Sequence, residues 1–260
     1  MAANTLENQV CLVTGGASGV GRATCELFAA RGAIVIVTDV DAKAADGVAA
    51  AIVERGGAAE AHTLDVSSEA MWSETIDAIV SKHGKLDVLV NCAGIAAASP
   101  IAEMDFAAWR SVMGVNLDGV FLGTRAGIRS MTRGGAIVNV ASVAGTKPFA
   151  GAGAYGASKA AIRLLTRTAA IECADANNQV RVNLVTPGGV KTPMWDKQAF
   201  FQKMASECGG RDAAFAVMAG GKQSMEFFDA EEVAVTIALL ASDASAHLSG
   251  VEIVMDRGNS

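Results

Sequence analysis

The chain has few of the residues that staple small or metal-dependent folds. Its five cysteines (Cys11, Cys25, Cys92, Cys173, Cys208) are scattered, odd in number and never spaced C-x-x-C, and none of its three histidines (His62, His83, His247) stands near one. Such spacing excludes a disulfide framework and a zinc site. Charged or turn residues interrupt every apolar stretch well before the ~18 residues that a membrane-crossing helix needs. No cluster of Lys and Arg occurs, and 21 basic against 27 acidic residues give a net charge of −6 and a pI near 5.1. Neither nucleic acid nor an anionic lipid surface is expected as a partner. The opening MAANTLENQ lacks a basic start followed by an apolar core, so no secretory signal is expected. These absences predict a reduced, cytoplasmic, soluble protein without a metal.

What is present is apolar bulk: 51% hydrophobic residues and a mean hydropathy of +0.34 over 260 residues. A chain of this size buries roughly three quarters of its unfolded surface, and one α/β domain commonly runs to about 250 residues. A single domain over residues 1–260 is the reading. Short β-branched runs alternate with longer helical patterns. Strands are predicted at 10–14, 33–38, 62–64, 87–91, 136–140, 179–185 and 251–255. Helices are predicted at 19–30, 41–55, 69–83, 152–174 and 230–240, with 106–132 helical throughout. The strands are apolar all along, as strands covered on both faces are. The βαβ rhythm predicts a Rossmann-type doubly wound α/β fold with a seven-stranded parallel sheet between two helical layers.

One segment breaks the rhythm. From Pro187 to Phe228 there is no strand, yet Met194, Trp195, Phe200, Phe201, Met204, Phe215, Met218, Met225, Phe227 and Phe228 recur. A long insertion of this kind is usually functional, and in an α/β sheet it falls near the carboxyl ends of the strands, where ligands bind. Residues 190–228 are predicted to form an apolar substrate lid.

Between the first strand and first helix stands Thr14-Gly-Gly-Ala-Ser-Gly-Val-Gly21. Glycines at 15, 19 and 21 permit a tight turn and close approach to a pyrophosphate, which the helix N-terminus would attract. The spacing is G-x-x-x-G-x-G rather than G-x-G-x-x-G, and no G-K-[ST] follows, which excludes a nucleoside-triphosphate loop. Asp39 ends the second strand, 18 residues past Gly21. A carboxylate there accepts both adenosine ribose hydroxyls and repels a 2′-phosphate, so NAD is favoured over NADP.

The chain has one tyrosine, Tyr155, and Lys159 follows it at i+4 on a predicted helix, so both side chains share a face. A phenol of pKa ≈ 10 is a poor base at neutral pH, and a nearby ammonium is expected to lower it. Ser142, thirteen residues before Tyr155, can bind the same substrate oxygen.

In order along the chain stand TGGASGVG at 14–21, Asp39, Asp65-Val66, N-C-A-G at 91–94, Asn116, Ser142, Tyr155-x-x-x-Lys159 and P-G-G-V-K-T at 187–192. This set resembles the short-chain dehydrogenase/reductase family over essentially the whole chain. The resemblance implies that Gly15, Ser18, Gly19 and Val20 line the pyrophosphate and Asp39 the adenosine ribose. By the same resemblance Asp65 and Val66 border the adenine, and Asn91, Ala93 and Gly94 flank the cofactor. Val190 and Thr192 are implied to fix the nicotinamide carboxamide. Tyr155 is the implied proton donor and acceptor, and Ser142 the group that polarises the substrate oxygen. Lys159 is implied to hold the nicotinamide ribose and tune Tyr155, and Asn116 to hold a water between Lys159 and solvent.

The pattern departs at Cys92, where a second Asn is usual, at Asp256-Arg-Gly, where D-G-G is usual, and throughout 195–228. Ala96–Ala98, Val143, Pro148, Phe149 and the Met/Phe-rich lid predict an apolar pocket for a cyclic, aryl or steroid-like secondary alcohol or its ketone. The alternatives are a 3-oxoacyl-carrier-protein-type reductase, against which Asp39 counts, and a non-catalytic nucleotide-binding protein. Apolar faces on the helices at 106–132 and 153–174 predict a homodimer or homotetramer.

Overall fold

The computed structural model describes residues 5–259; residues 1–4, on which the reading of the N-terminus partly rests, and Ser260 lie outside them. Seven parallel strands form the sheet: β1 (Val10–Thr14), β2 (Ile34–Asp39), β3 (Ala58–Thr63), β4 (Val88–Asn91), β5 (Gly135–Val140), β6 (Val180–Pro187) and β7 (Glu252–Met255). Their order is β3-β2-β1-β4-β5-β6-β7. Successive residues of β1 point to opposite faces. Cys11 and Val13 join a core with Cys25, Phe28, Val233 and Ile237, while Val10 and Leu12 join one with Trp72, Ile76, Leu89 and Ile137. The first core lies under α1 (Gly19–Ala30), α2 (Ala42–Glu54) and the late helix Ala230–Ala241; the second lies under α3 (Glu69–His83) and the helices that follow β4.

Two expectations need correcting. The third strand runs from Ala58 to Thr63, not over 62–64. Its alanines are poor strand formers, and pairing with β2 from Ile34↔Ala58 to Asp39↔Thr63 overrides that weakness. Glu60 in this edge strand meets Lys82, His83 and His62; burial alone would raise its carboxyl, but their hydrogen bonds hold it at about 2. The helical stretch 106–132 is not continuous. It divides into α4 (Phe106–Met113), a π-helical turn (Gly114–Asp118) and α5 (Gly119–Ser130). Such a turn is rare and inserts one residue into the ladder, rotating what it carries. It carries Asn116.

Beyond β5 comes α6 (Gly153–Asp175), which Arg163 ties to β7 through Glu252 at 2.7 Å. Between β6 and the last helix lie α7 (Ala199–Cys208) and α8 (Arg211–Ala219), and α9 (Ala230–Ala241) opens with a capping box of Asp229 and Glu232. The insertion is closed at its base: Lys191 N–H donates to Phe228 O at 2.9 Å and Phe228 N–H to Gly189 O at 2.8 Å.

Candidate active site

The order of strands reverses between β1 and β4, each followed by a connection on a different side. In open α/β sheets that reversal leaves a crevice at the carboxyl ends of the strands. Here the loops after β1 and β4 meet in it. A Cβ on Gly15, whose φ is +66°, would lie 2.9 Å from Ala93 Cα, so only glycine fits. Thr14 Oγ1 accepts from the amides of Cys92 at 3.0 Å and Ala93 at 3.1 Å, fixing the two loops together.

The glycine loop has the donor set an anion needs. Ser18 precedes α1 in an extended conformation and its side chain makes no capping hydrogen bond, which leaves amides of the first turn for a ligand. Asp39 turns its carboxylate toward this loop, accepting from Ala17 N at 3.2 Å and from Asp41 N at 3.1 Å. Asp65 caps its own turn by accepting from Ser67 N at 2.9 Å, and Val66 is buried against α5, where a Cβ on Gly119 would be 2.7 Å from it. Thr192 closes over the loop from the other side: a Cβ on Gly19 would lie 3.1 Å from the Thr192 methyl. Val190 is buried at the base of the lid. The backbone of Val20 enters α1 at the same end. Asn91 stands apart, since its side chain points into the core and donates to Asn139 Oδ1 at 2.8 Å.

The chemical residues gather beside Gly94. Lys159 is almost wholly buried, and its ammonium donates to Val140 O at 2.8 Å. A Cβ on Gly94 would be 3.6 Å from Lys159 Nζ and 3.4 Å from Asn116 Oδ1, which places those two polar groups around one glycine. The Asn116 amide is held on three sides: Oδ1 accepts from Ile95 N at 2.8 Å, and Nδ2 donates to Ile95 O at 2.9 Å and to Ser158 Oγ at 3.1 Å. Ser158, unmarked by the sequence reading, donates to Tyr155 O at 2.7 Å and so links Asn116 to the tyrosine's own turn of helix. Ser142 is buried beyond β5 and caps the short turn that follows, accepting from Ala144 N at 3.2 Å.

The electrostatics of the chain by itself differ from the expectation of a phenol lowered by lysine. Burial raises the Tyr155 hydroxyl above 10, the Ser142 hydroxyl beside it pulls down, and the nearby Cys92 adds to the rise. Lys159 sits 5.7 Å from the Tyr155 ring centroid and spends a proton on Val140 O. Burial brings Lys159 down to about 8, opposed by Cys92. Cys92 itself is pushed up to about 12 by burial, against the pull of Lys159, which keeps it a thiol at neutral pH.

The lid differs from its expected role as a pocket lining. Trp195 packs against Phe201, Phe215 and Phe227 at centroid distances of 5.9, 6.3 and 5.5 Å, and its indole N–H donates to Val190 O at 2.9 Å. These rings form a small core of the lid's own. Phe149, Phe200 and Met225 remain exposed. Gln198, also unmarked in the sequence, is buried and donates to Ala96 O at 3.1 Å, bridging the lid to the loop after β4. An open cavity of about 350 Å³ lies outside this centre, flanking Gly19 and Arg22 beneath Pro193 and Arg211.

A family model described as short chain dehydrogenase matches residues 9–203. The chain is 38% identical over 255 residues to a 3-oxoacyl-[acyl-carrier-protein] reductase from Thermotoga maritima, covering 97% of this chain and 98% of that protein. It is 36% identical over 255 residues to a cyclopentanol dehydrogenase from Comamonas testosteroni, covering 97% of each. Among solved structures it resembles a short-chain type dehydrogenase/reductase from Mycobacterium marinum, with a TM-score of 0.89, 28% identity and coverage of 99% and 97%.

Proposed function

The chain belongs to the short-chain dehydrogenase/reductase family, an oxidoreductase acting on CH–OH groups, and from that premise we propose an NAD-dependent dehydrogenase of apolar secondary alcohols. The reaction rests on one observation: Ser142, Tyr155 and Lys159 converge behind the glycine loop, at the carboxyl ends of β4 and β5.

The residues fit a dinucleotide. The uncapped start of α1 and the backbone around Gly15, Ser18, Gly19 and Val20 would hold the pyrophosphate, and Asp39 the adenosine ribose. Asp65 and Val66 would border the adenine, Ala93 and Gly94 the ribose nearest Lys159, and Val190 and Thr192 the nicotinamide. The choice of NAD over NADP is carried by Asp39, whose carboxylate would repel a 2′-phosphate. The nicotinamide, when bound, supplies the hydride acceptor or donor.

The chain's own part is proton handling and orientation. Ser142 Oγ hydrogen-bonds the substrate oxygen. Tyr155 Oη takes the hydroxyl proton in oxidation and returns it in reduction. At neutral pH the raised Tyr155 is a phenol, so it stands ready to protonate a ketone, while oxidation requires its anion and gains as pH rises. Lys159 remains mostly protonated at pH 7, with its ammonium 5.7 Å from the Tyr155 ring centroid, and would hold the nicotinamide ribose. Asn116 is locked by Ile95 and Ser158 at the mouth of a proton path that a water would complete to Lys159.

Substrate choice rests on Phe149, Phe200 and Met225 with Ala96–Ala98, together with the relative that takes cyclopentanol, and supports a cyclic alcohol over a charged one. A cytoplasmic setting suits the five free thiols. Among the described residues no helix is long and apolar enough to cross a membrane. We further propose a homodimer or homotetramer joined through α5 and α6, whose outer faces expose Phe121, Leu164 and Ile171.

The test is reduction of NAD and of NADP at 340 nm with short aliphatic, cyclic, aryl and steroidal secondary alcohols. Reduction of NAD alone, on cyclic or bulkier members, supports the proposal. Activity confined to NADP and to 3-oxoacyl thioesters would transfer the chain to the second reading, the carrier-protein reductase, which the 38% identity favours.

A further inference from the structure

Arg257 occupies the middle of Asp256-Arg-Gly258 with a φ of +53°, a left-handed conformation that any Cβ disfavours. A glycine would sit there without strain, so something else must favour arginine. Its guanidinium stacks on the Phe228 ring at 4.4 Å from the centroid and pairs with Glu232 at 3.2 Å. Phe228 is the residue whose backbone closes the lid's base against Gly189 and Lys191. Glu232 is the capping partner of Asp229, at the start of α9. The tail reaches further: Gly188 N–H donates to Met255 O at 2.7 Å, and Lys147, five residues past Ser142, donates to Asn259 O at 2.5 Å. The last residues thus run from the base of the lid to the loop of the catalytic serine.

We propose that Arg257 is a positioning residue that clamps Phe228 and thereby holds the Gly189–Thr192 strip, whose Val190 and Thr192 would meet the cofactor, in its binding-competent arrangement. The clamp goes beyond the reading above but rests on it in one respect, that this strip faces the nicotinamide end. A cation over the face adds attraction to a ring already buried, and the ion pair with Glu232 holds the guanidinium over that ring. Without it, the two backbone hydrogen bonds at the lid's base open more often, and the apparent dinucleotide affinity falls by the fraction of time they are formed.

The experiment compares the full chain with Arg257→Gly and Arg257→Lys by amide hydrogen exchange without cofactor, thermal unfolding, and NADH titration by fluorescence. Arg257→Gly removes the strain along with the clamp. Its melting temperature is expected to be unchanged or higher, while the Lys191 and Phe228 amides exchange about tenfold faster and NADH binds three- to tenfold more weakly. Arg257→Lys, which keeps the charge but not the planar stack, is expected between the two. Unaltered exchange at Lys191 and Phe228 in Arg257→Gly overturns the clamp. Faster exchange with unaltered NADH affinity overturns its link to the cofactor, and a chain-wide rise in exchange with a lower melting temperature shows a global structural role instead. Should the unmodified chain bind neither NADH nor NADPH, the functional reading fails, while the exchange arm still decides the clamp.

Discussion

The Lys159 ammonium donates to Val140 O at 2.8 Å, two residues before Ser142, so one buried charge joins the helix of the tyrosine to the end of the strand that leads to the serine. Its position costs stability. A lysine whose pKa falls from 10.5 to about 8 on folding binds fewer protons than the unfolded chain between those values, so this residue makes stability rise with pH across that window. Replacing Lys159 with Met should remove that rise, leave the melting temperature at pH 7 unchanged or higher, and lower turnover by at least about a hundredfold. Melting curves from pH 7 to 10 on both proteins check the first part. A mutant that retained the rise would assign it to another group.

Tyr155→Phe isolates the proton step. Ring and packing are kept and the hydroxyl alone is lost, so turnover should fall by about a thousandfold or more while NADH still binds. In the unmodified enzyme, alcohol oxidation should increase with pH and ketone reduction decrease, since burial raises the phenol above 10. Initial rates in both directions over a pH series are the readout. A flat oxidation profile would refute the phenolate.

Asp39 is already anchored to the glycine loop through Ala17 N at 3.2 Å, which orients its carboxylate before any dinucleotide arrives. Asp39→Ser should lower kcat/KM with NAD by about ten- to a hundredfold, through lost ribose hydrogen bonds, and raise it with NADP by lifting the repulsion. The ratio of the two values is the quantity to measure. An unchanged ratio would mean that Asp39 does not choose the cofactor.

What the sequence disclosed was what is local in the chain. Gly15, Gly19 and Gly21 lie close together where β1 gives way to α1, and Tyr155 and Lys159 are one helical turn apart, so spacing largely sets their geometry. Partnerships across long separations were not legible. Gln198 and Ala96 are 102 residues apart, and nothing in the apolar rhythm of 195–228 distinguishes a ring that faces a ligand from one that faces another ring. For the same reason a pocket lined by the lid's aromatics was expected, where Trp195, Phe201, Phe215 and Phe227 bury one another. The π-helical turn at Asn116 also escaped. Its Val-Asn-Leu-Asp-Gly run reads as ordinary helix, and the extra residue shows only in the hydrogen-bond ladder.

Gln198 ties the lid to the loop after β4. Its amide donates to Ala96 O at 3.1 Å, and Gln198→Ala would leave that carbonyl without the bond, at a cost of roughly 1 kcal/mol. The loss frees the lid from the loop after β4. KM for the alcohol should rise about three- to tenfold, with the melting temperature little changed because the lid keeps its aromatic core. Gln198→Glu cannot donate there and should behave alike. Steady-state kinetics on both variants decide the matter, and an unaltered KM would show that the bond does not shape the substrate site.

The outer face of α6 presents Leu164 and Ile171, 71% and 63% exposed and seven residues apart, on one side of the helix. Phe121 on the neighbouring α5 is 44% exposed, with Arg125 over its ring at 5.2 Å. Burying apolar surface is worth about 25 cal/mol per Å², so three such side chains exposed on adjacent helices favour a covering surface. A second copy of the same face would bring Leu164 and Ile171 against their counterparts, as a two-fold interface requires. Leu164→Glu would place a carboxylate in that contact and should shift a dimer or tetramer to smaller species in sedimentation velocity at micromolar concentration. Because α6 carries Tyr155 and Lys159 on its inner side, the dissociated enzyme should also lose turnover on dilution. A monomeric mass for the unmodified chain under the same conditions would remove the assembly altogether.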